Sequence, residues 1–133
     1  TRNPKENCLS LYKNTFDQNI NWSYNLDDLL NFYENYSKLM NFWKSKIPNF
    51  IYDISYENLV NDSKSEIEKL LKFCELDFEE NCLHFHKNKR AIKTVSAAQA
   101  RQKIYKSSLS SAVNFEPFLK DFFNNLDQVK NKF

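Results

Sequence analysis

The chain contains no glycine. Over 133 residues this excludes a glycine-rich phosphate loop and leaves left-handed turn positions to asparagine, which is abundant. The length allows one domain or part of one. With 41% hydrophobic and 16% aromatic residues, the apolar material suffices for a packed core. Lys+Arg at 19 nearly balances Asp+Glu at 17, so the net charge of +2 does not indicate a general nucleic-acid surface. Arginine is confined to Arg2, Arg90 and Arg101. Where lysine supplies nearly all the positive charge, an arginine points to use of its planar fork. Three cysteines (Cys8, Cys74 and Cys82) are an odd number without a secreted-scaffold spacing, and read as reduced thiols of a cytoplasmic protein. No apolar run reaches the roughly 18 residues of a membrane span and no signal peptide is visible, so no membrane partner is expected.

Hydrophobic spacing predicts a mostly helical chain. Residues 4–16 read as a helix with Leu9, Tyr12 and Phe16 on one face, opened by Asn3 as N-cap and Pro4 at the first helical position. Residues 17–25 are polar and turn-like. In residues 26–46 Leu26, Leu29, Leu30, Tyr33, Tyr36, Leu39, Met40 and Trp43 recur at helical spacing until Pro48 ends the run. Residues 50–55 form a short apolar run, expected to be one buried parallel strand. Ser63 and Glu66 have capping-box spacing, and a helix to about Cys74 follows, with Ile67, Leu70, Leu71 and Cys74 as its buried stripe. A helical turn is expected at 79–85, a loop at 87–106 and a final amphipathic helix at 115–130. The remaining aromatic residues are assigned to the core. Helices around a strand suit the trailing half of an α/β domain.

Four constellations carry chemistry. Arg2 and Ser10 flank a helix start, where unpaired N–H groups and partial positive charge attract phosphate, and a guanidinium and a hydroxyl add donors. Alone, the pair reads more simply as a solvated Arg beside a helix-surface Ser. Tyr56 and Glu57 follow the expected strand at its carboxyl end, the place where open α/β sheets bind ligands. Tyr56 stacks on a base or, equally, packs on the core. The stretch from Thr94 to Ser108 gathers Ser96, Gln99, Arg101 and Tyr105 in poorly periodic chain, either an anion-embracing loop or an ordinary solvated one. Cys74, Cys82, His84 and His86 invite a zinc reading, but C-x7-C-x-H-x-H is no usual zinc pattern, so no metal is expected. Instead Cys82, Leu83 and Phe85 are expected to pack inward, with His84 and His86 near the surface.

Together these segments resemble the sulfotransferases that use 3′-phosphoadenosine 5′-phosphosulfate (PAPS). Arg2-Asn-Pro with Ser10 resembles the 3′-phosphate motif of that family. Ile54-Ser-Tyr56-Glu57-Asn-Leu-Val60 is similar to its strand-end Tyr-Glu segment. The runs at 70–76 and 82–86, Thr94-Val-Ser96 and Gln99–Tyr105 are most similar to the bacterial sulfotransferases that often carry tetratricopeptide repeats, and to the tyrosylprotein enzymes. The resemblance implies a P-loop-like α/β sulfotransferase fold, with residues 1–133 as the C-terminal part of a single domain. The phosphosulfate loop and the catalytic base are then expected upstream of residue 1, and the isolated chain is expected to be inactive. Arg2 and Ser10 would hold the 3′-phosphate and Tyr56 would lie by the adenine. Ser96 would approach the sulfuryl end, and the loop with Gln99, Arg101 and Tyr105 would cover the nucleotide. The acceptor would be a hydroxyl of a protein tyrosine, carbohydrate or small molecule. The sequence departs from the family at Ser110, Ser111 and Ala112, where relatives carry Gly, a basic residue and Trp, and at Asn14, where tyrosylprotein enzymes carry Arg. Two other readings remain: a non-catalytic helical interaction module that kept the fold, and a nucleoside kinase-like transferase with a Walker-type loop upstream.

Overall fold

The computed structural model describes residues 1–16, 20–87, 101–102, 104 and 109–132. In these, five α-helices run in chain order: α1 Pro4–Lys13, α2 Leu26–Lys46, α3 Tyr56–Asn61, α4 Ser63–Phe73 and α5 Glu116–Lys132. Short 3-10 turns occupy Asn21–Tyr24, Glu80–Lys87 and Ala112–Phe115. The chain divides into two compact units, one of Arg2–Ile51 with Ser108–Phe133, the other of Thr1 with Tyr52–Ser107.

The first unit is built on α1, α2 and α5. Asn3 caps α1 as expected, its side-chain oxygen accepting from the N–H groups of Lys5 (2.9 Å) and Glu6 (3.4 Å). Asn25 caps α2 in the same way, accepting from Asp27 and Asp28. The bounds of α2 are those the hydrophobic spacing predicts. The core joins Cys8 and Leu9 of α1, Leu29 of α2, and Phe122, Phe123 and Leu126 of α5, with Ala112 beside them. Trp22 lies against this core and stacks on Phe32 with ring centroids 3.9 Å apart. Lys5 ties α1 to α5 through Asp127 (2.9 Å) and Glu116 (3.4 Å).

Two expectations about this unit are corrected. The face of α1 that packs inward carries Cys8 and Leu9, while Tyr12 is exposed. The helix stops at Lys13 and Asn14 is extended, so Phe16 is not on the helical face at all. In α2, Tyr36, Leu39 and Trp43 are exposed although they share the helical spacing of the core residues. Helical periodicity identifies an apolar face, but not what covers it.

The second unit holds α3 and α4. Asp62, not Ser63, is the N-cap of α4: its carboxylate accepts from the Ser65 N–H at 3.2 Å. Ser63 is inside the helix and donates to the Leu59 carbonyl at 2.7 Å, and Glu66 pairs with Lys69 at 2.6 Å, so the expected capping box does not form. The helix ends in a Schellman motif. Leu76 N–H bonds the Leu71 carbonyl (2.9 Å) and Glu75 N–H the Lys72 carbonyl (3.2 Å). Glu75 takes the left-handed conformation, with φ 56°, that glycine usually supplies and that the sequence assigned to asparagine. Cys74 is exposed at the cap rather than part of a buried stripe, and Phe85 is exposed rather than inward. The helical turn expected at 79–85 is present at Glu80–Lys87.

No β-strand occurs among the described residues, so the parallel strand expected at 50–55 is not formed. Residues 51–55 are free of helix and turn, and Phe50 lies in the preceding turn, exposed. Thr1 supplies a backbone partner: its amino group donates to the Ile54 carbonyl, and Tyr56 N–H donates to the Thr1 carbonyl at 2.8 Å. These two bonds flank Ser55 in the pattern of one parallel rung. A single rung does not make a ladder. The loop expected at 87–106 lies mostly outside the described residues.

Candidate functional site

Glu6 and Ser10 stand four residues apart on one face of α1, and Arg2 lies just before the Asn3 cap. Glu6 sits between the other two and is buried. Its Oε1 accepts from the Ala112 N–H at 2.7 Å, and its Oε2 lies 3.8 Å from Arg2 Nη2. The carboxylate therefore holds the guanidinium on one side and the Ser111–Ala112 turn on the other. A separation of 3.8 Å is an ion pair without a tight hydrogen bond. Arg2 is itself half-buried, in a setting where charge interactions are screened less than at the surface.

Ser10 is half-buried two turns along. Its Oγ accepts from the side-chain amide of Asn14 at 3.4 Å, and that amide also donates to the Ser10 carbonyl at 2.7 Å. An oxygen that accepts from an amide keeps its own O–H to donate. Asn14 thus orients Ser10 through an uncharged group. The N–H groups of Lys5 and Glu6 are already taken by Asn3, so an anion on this face is held by side chains, not by the open helix terminus that the sequence suggests. Lys5 does not add its charge to the face, since Asp127 and Glu116 engage it. The Asp127 hydrogen bond is the main cause that raises its pKa.

Sequence reading missed Glu6 and the tie to Ala112. The i, i+4 Arg–Glu spacing was available as a signal. Its partner 106 residues away was not.

In the other unit Tyr56 is the first residue of α3 and is half-buried, its N–H fixed by Thr1. Ser55 caps this short helix, accepting from Asn58 N–H at 3.3 Å and donating to Glu57 Oε2 at 3.0 Å. Tyr56 and Glu57 are thereby placed at the end of the extended segment, where the sequence puts them. Arg101 is exposed in a turn. Ser96, Gln99 and Tyr105 lie outside the described residues. Among the described residues no group of three or more His, Cys, Asp or Glu is arranged to hold a metal ion. No helix among them is long and apolar enough to cross a membrane.

Residues 1–80 match the model of the Sulfotransferase family, and the chain belongs to that family. The matched segment contains Arg2, Ser10 and Tyr56 and stops before Arg101. A particular relative is an uncharacterized protein of Aquifex aeolicus (strain VF5), 30% identical over 122 residues that cover 86% of this chain and 16% of the relative. The chain thus spans about a sixth of the length of that curated relative. No solved structure matches.

Proposed function

We propose that the chain is the C-terminal part of a PAPS-dependent sulfotransferase domain and supplies the 3′-phosphate and adenine side of the donor site. The observation that carries the proposal is the Arg2–Glu6 pair at the start of α1, with Ser10 one turn beyond Glu6, lying in the segment that matches the sulfotransferase family. A phosphate monoester asks for a bidentate cation and a hydroxyl donor, and Arg2 before α1 and Ser10 on it offer the two chemistries. Tyr56 offers a ring to the adenine. The rung between Thr1 and the backbone at 54–56 supports a parallel sheet of the P-loop-like kind in the whole domain.

The reaction of such a domain breaks the bond between sulfur and the bridging phosphosulfate oxygen and forms one between sulfur and the acceptor oxygen. The acceptor proton passes to a base, and 3′-phosphoadenosine 5′-phosphate leaves. The residues described here bind and orient the donor through its 3′-phosphate. The base and the groups on the bridging oxygen are assigned upstream of residue 1, and the acceptor is a hydroxyl compound. The closeness to tetratricopeptide-bearing and tyrosylprotein-type enzymes belongs to the same proposal.

Calorimetry with 3′-phosphoadenosine 5′-phosphate and with adenosine 5′-phosphate tests the assignment. In the protein that contains this chain, Arg2→Ala should weaken binding of the first nucleotide by about 2–3 kcal/mol, the scale of a charge-assisted bond. Binding of the second, which lacks the 3′-phosphate, should barely change. Equal affinity of wild type and variant for the first nucleotide would overturn the assignment.

A further inference from the structure

The Cys74–His86 stretch, set aside as a metal site, borders a cavity whose walls, Ile104 apart, the nucleotide reading does not use. This cavity of about 370 Å³ lies within the second unit, between the first turns of α4 and the 3-10 segment Glu80–Lys87. Its walls are apolar: Ile67 from α4, Leu83 and Phe85 from the 3-10 segment, and Ile104. The volume falls at the lower end of the range for ordinary small-molecule sites. Nitrogen-bearing groups come from two elements, Lys64 from α4 and His84 and His86 from the 3-10 segment. Ser63 also lines the cavity, but its hydroxyl is committed to the Leu59 carbonyl.

We propose that this cavity is a binding site for a small aryl anion, separate from the nucleotide site. A free inorganic anion gains nothing from four apolar walls, and a neutral hydrocarbon offers the ammonium no hydrogen-bond acceptor. A flat ring carrying one carboxylate or sulfonate satisfies both. Phe85 offers its ring to the ligand ring; it already meets His86 edge-on, with centroids 5.7 Å apart. Lys64 pairs with Glu68 at 3.9 Å in an exposed pair, and its ammonium lies 5.9 Å from the centre of the Phe78 ring. A pair that long and that exposed is weak, so Lys64 can reorient its charge to an incoming anion.

The test is a titration of the protein with naphthalene-2-carboxylate and with the neutral naphthalene-2-carboxamide, followed by methyl NMR at Ile67 and Leu83 and by calorimetry. The carboxylate should saturate these methyl shifts and bind roughly tenfold more tightly than the amide, a ratio that Lys64→Gln reduces to about two. Saturating 3′-phosphoadenosine 5′-phosphate should not displace it. Ile67→Phe, checked for its fold by circular dichroism, should abolish binding of both probes by filling the floor. Absence of saturable shifts up to about 5 mM probe, equal affinity for the two probes, or unchanged binding in a folded Ile67→Phe protein would overturn the proposal.

Discussion

Glu6 and Cys8 lie two residues apart on α1 and show how much a single side chain decides in a chain of this size. Glu6 is buried because it has two partners, the Ala112 N–H and the Arg2 guanidinium. Removing it leaves a buried donor unpaired, which costs about 1–3 kcal/mol. Urea denaturation should show Glu6→Ala less stable than wild type by that amount. Glu6→Gln keeps an oxygen for Ala112 and should lose about half as much or less. An equal loss in the two variants would mean that the Ala112 bond contributes little. Cys8 has no charged partner among its causes; burial alone pushes its thiol from 9.0 up to about 12. The unfolded chain therefore gives up this proton first. The stabilisation from the neutral buried thiol is complete below pH 9.0 and is lost as the pH rises toward about 12. Wild type should lose stability more steeply than Cys8→Ala across that window, as read by denaturant midpoints, and parallel curves would refute the assignment. At neutral pH a thiol reagent should label exposed Cys74 quickly and Cys8 only on unfolding.

The elements were legible where their signals are local. Asn3 with Pro4, and the apolar spacing of residues 26–46, located α1 and α2 because a cap and a stripe act within a few residues of themselves. The cap of α4 was read one residue late. Asp62 and Ser63 are both good N-caps, and the choice between them depends on Ser63 finding the Leu59 carbonyl one turn back. The strand at 50–55 was not legible as formed or unformed, since a strand exists only through the ladder beside it, and Thr1 offers one rung. The end of α4 shows the cost of a glycine-free sequence. Glu75 holds φ 56°, a conformation that costs a residue with a Cβ about 1 kcal/mol. Both Schellman hydrogen bonds run from backbone N–H groups and survive replacement of the side chain. Glu75→Gly should therefore stabilise the fold by about 0.5–1 kcal/mol in thermal or urea unfolding. A destabilised variant would show that freeing the unfolded chain outweighs relief of the left-handed position.

At the scale of the molecule, the division into two units was not visible in the sequence. It rests on residues that meet across long separations, such as Glu6 with Ala112 and Lys5 with Asp127. Of the candidate site, the places of Ser10 on α1 and of Tyr56 at the start of α3 were legible, while the Ala112 partner of the carboxylate beside Arg2 was not. The same gap explains α2. Its apolar face is continuous in sequence, yet Leu29 is fully buried whereas Leu39 is 53% exposed. Leu29 packs in the core with residues of α1 and α5, and Leu39 is outside that core. The two leucines on one helix are a direct test of where the core ends. Leu29→Ala should cost about 3 kcal/mol, the price of a cavity among packed side chains. Leu39→Ala, which removes methyl groups already half in water, should cost less than about 1 kcal/mol. Equilibrium denaturation of the two variants checks the contrast, with sedimentation run in parallel at several protein concentrations. Equal losses would show that Leu39 is covered in solution. A loss at Leu39 that grows with protein concentration would assign that cover to association between molecules rather than to the chain's own core.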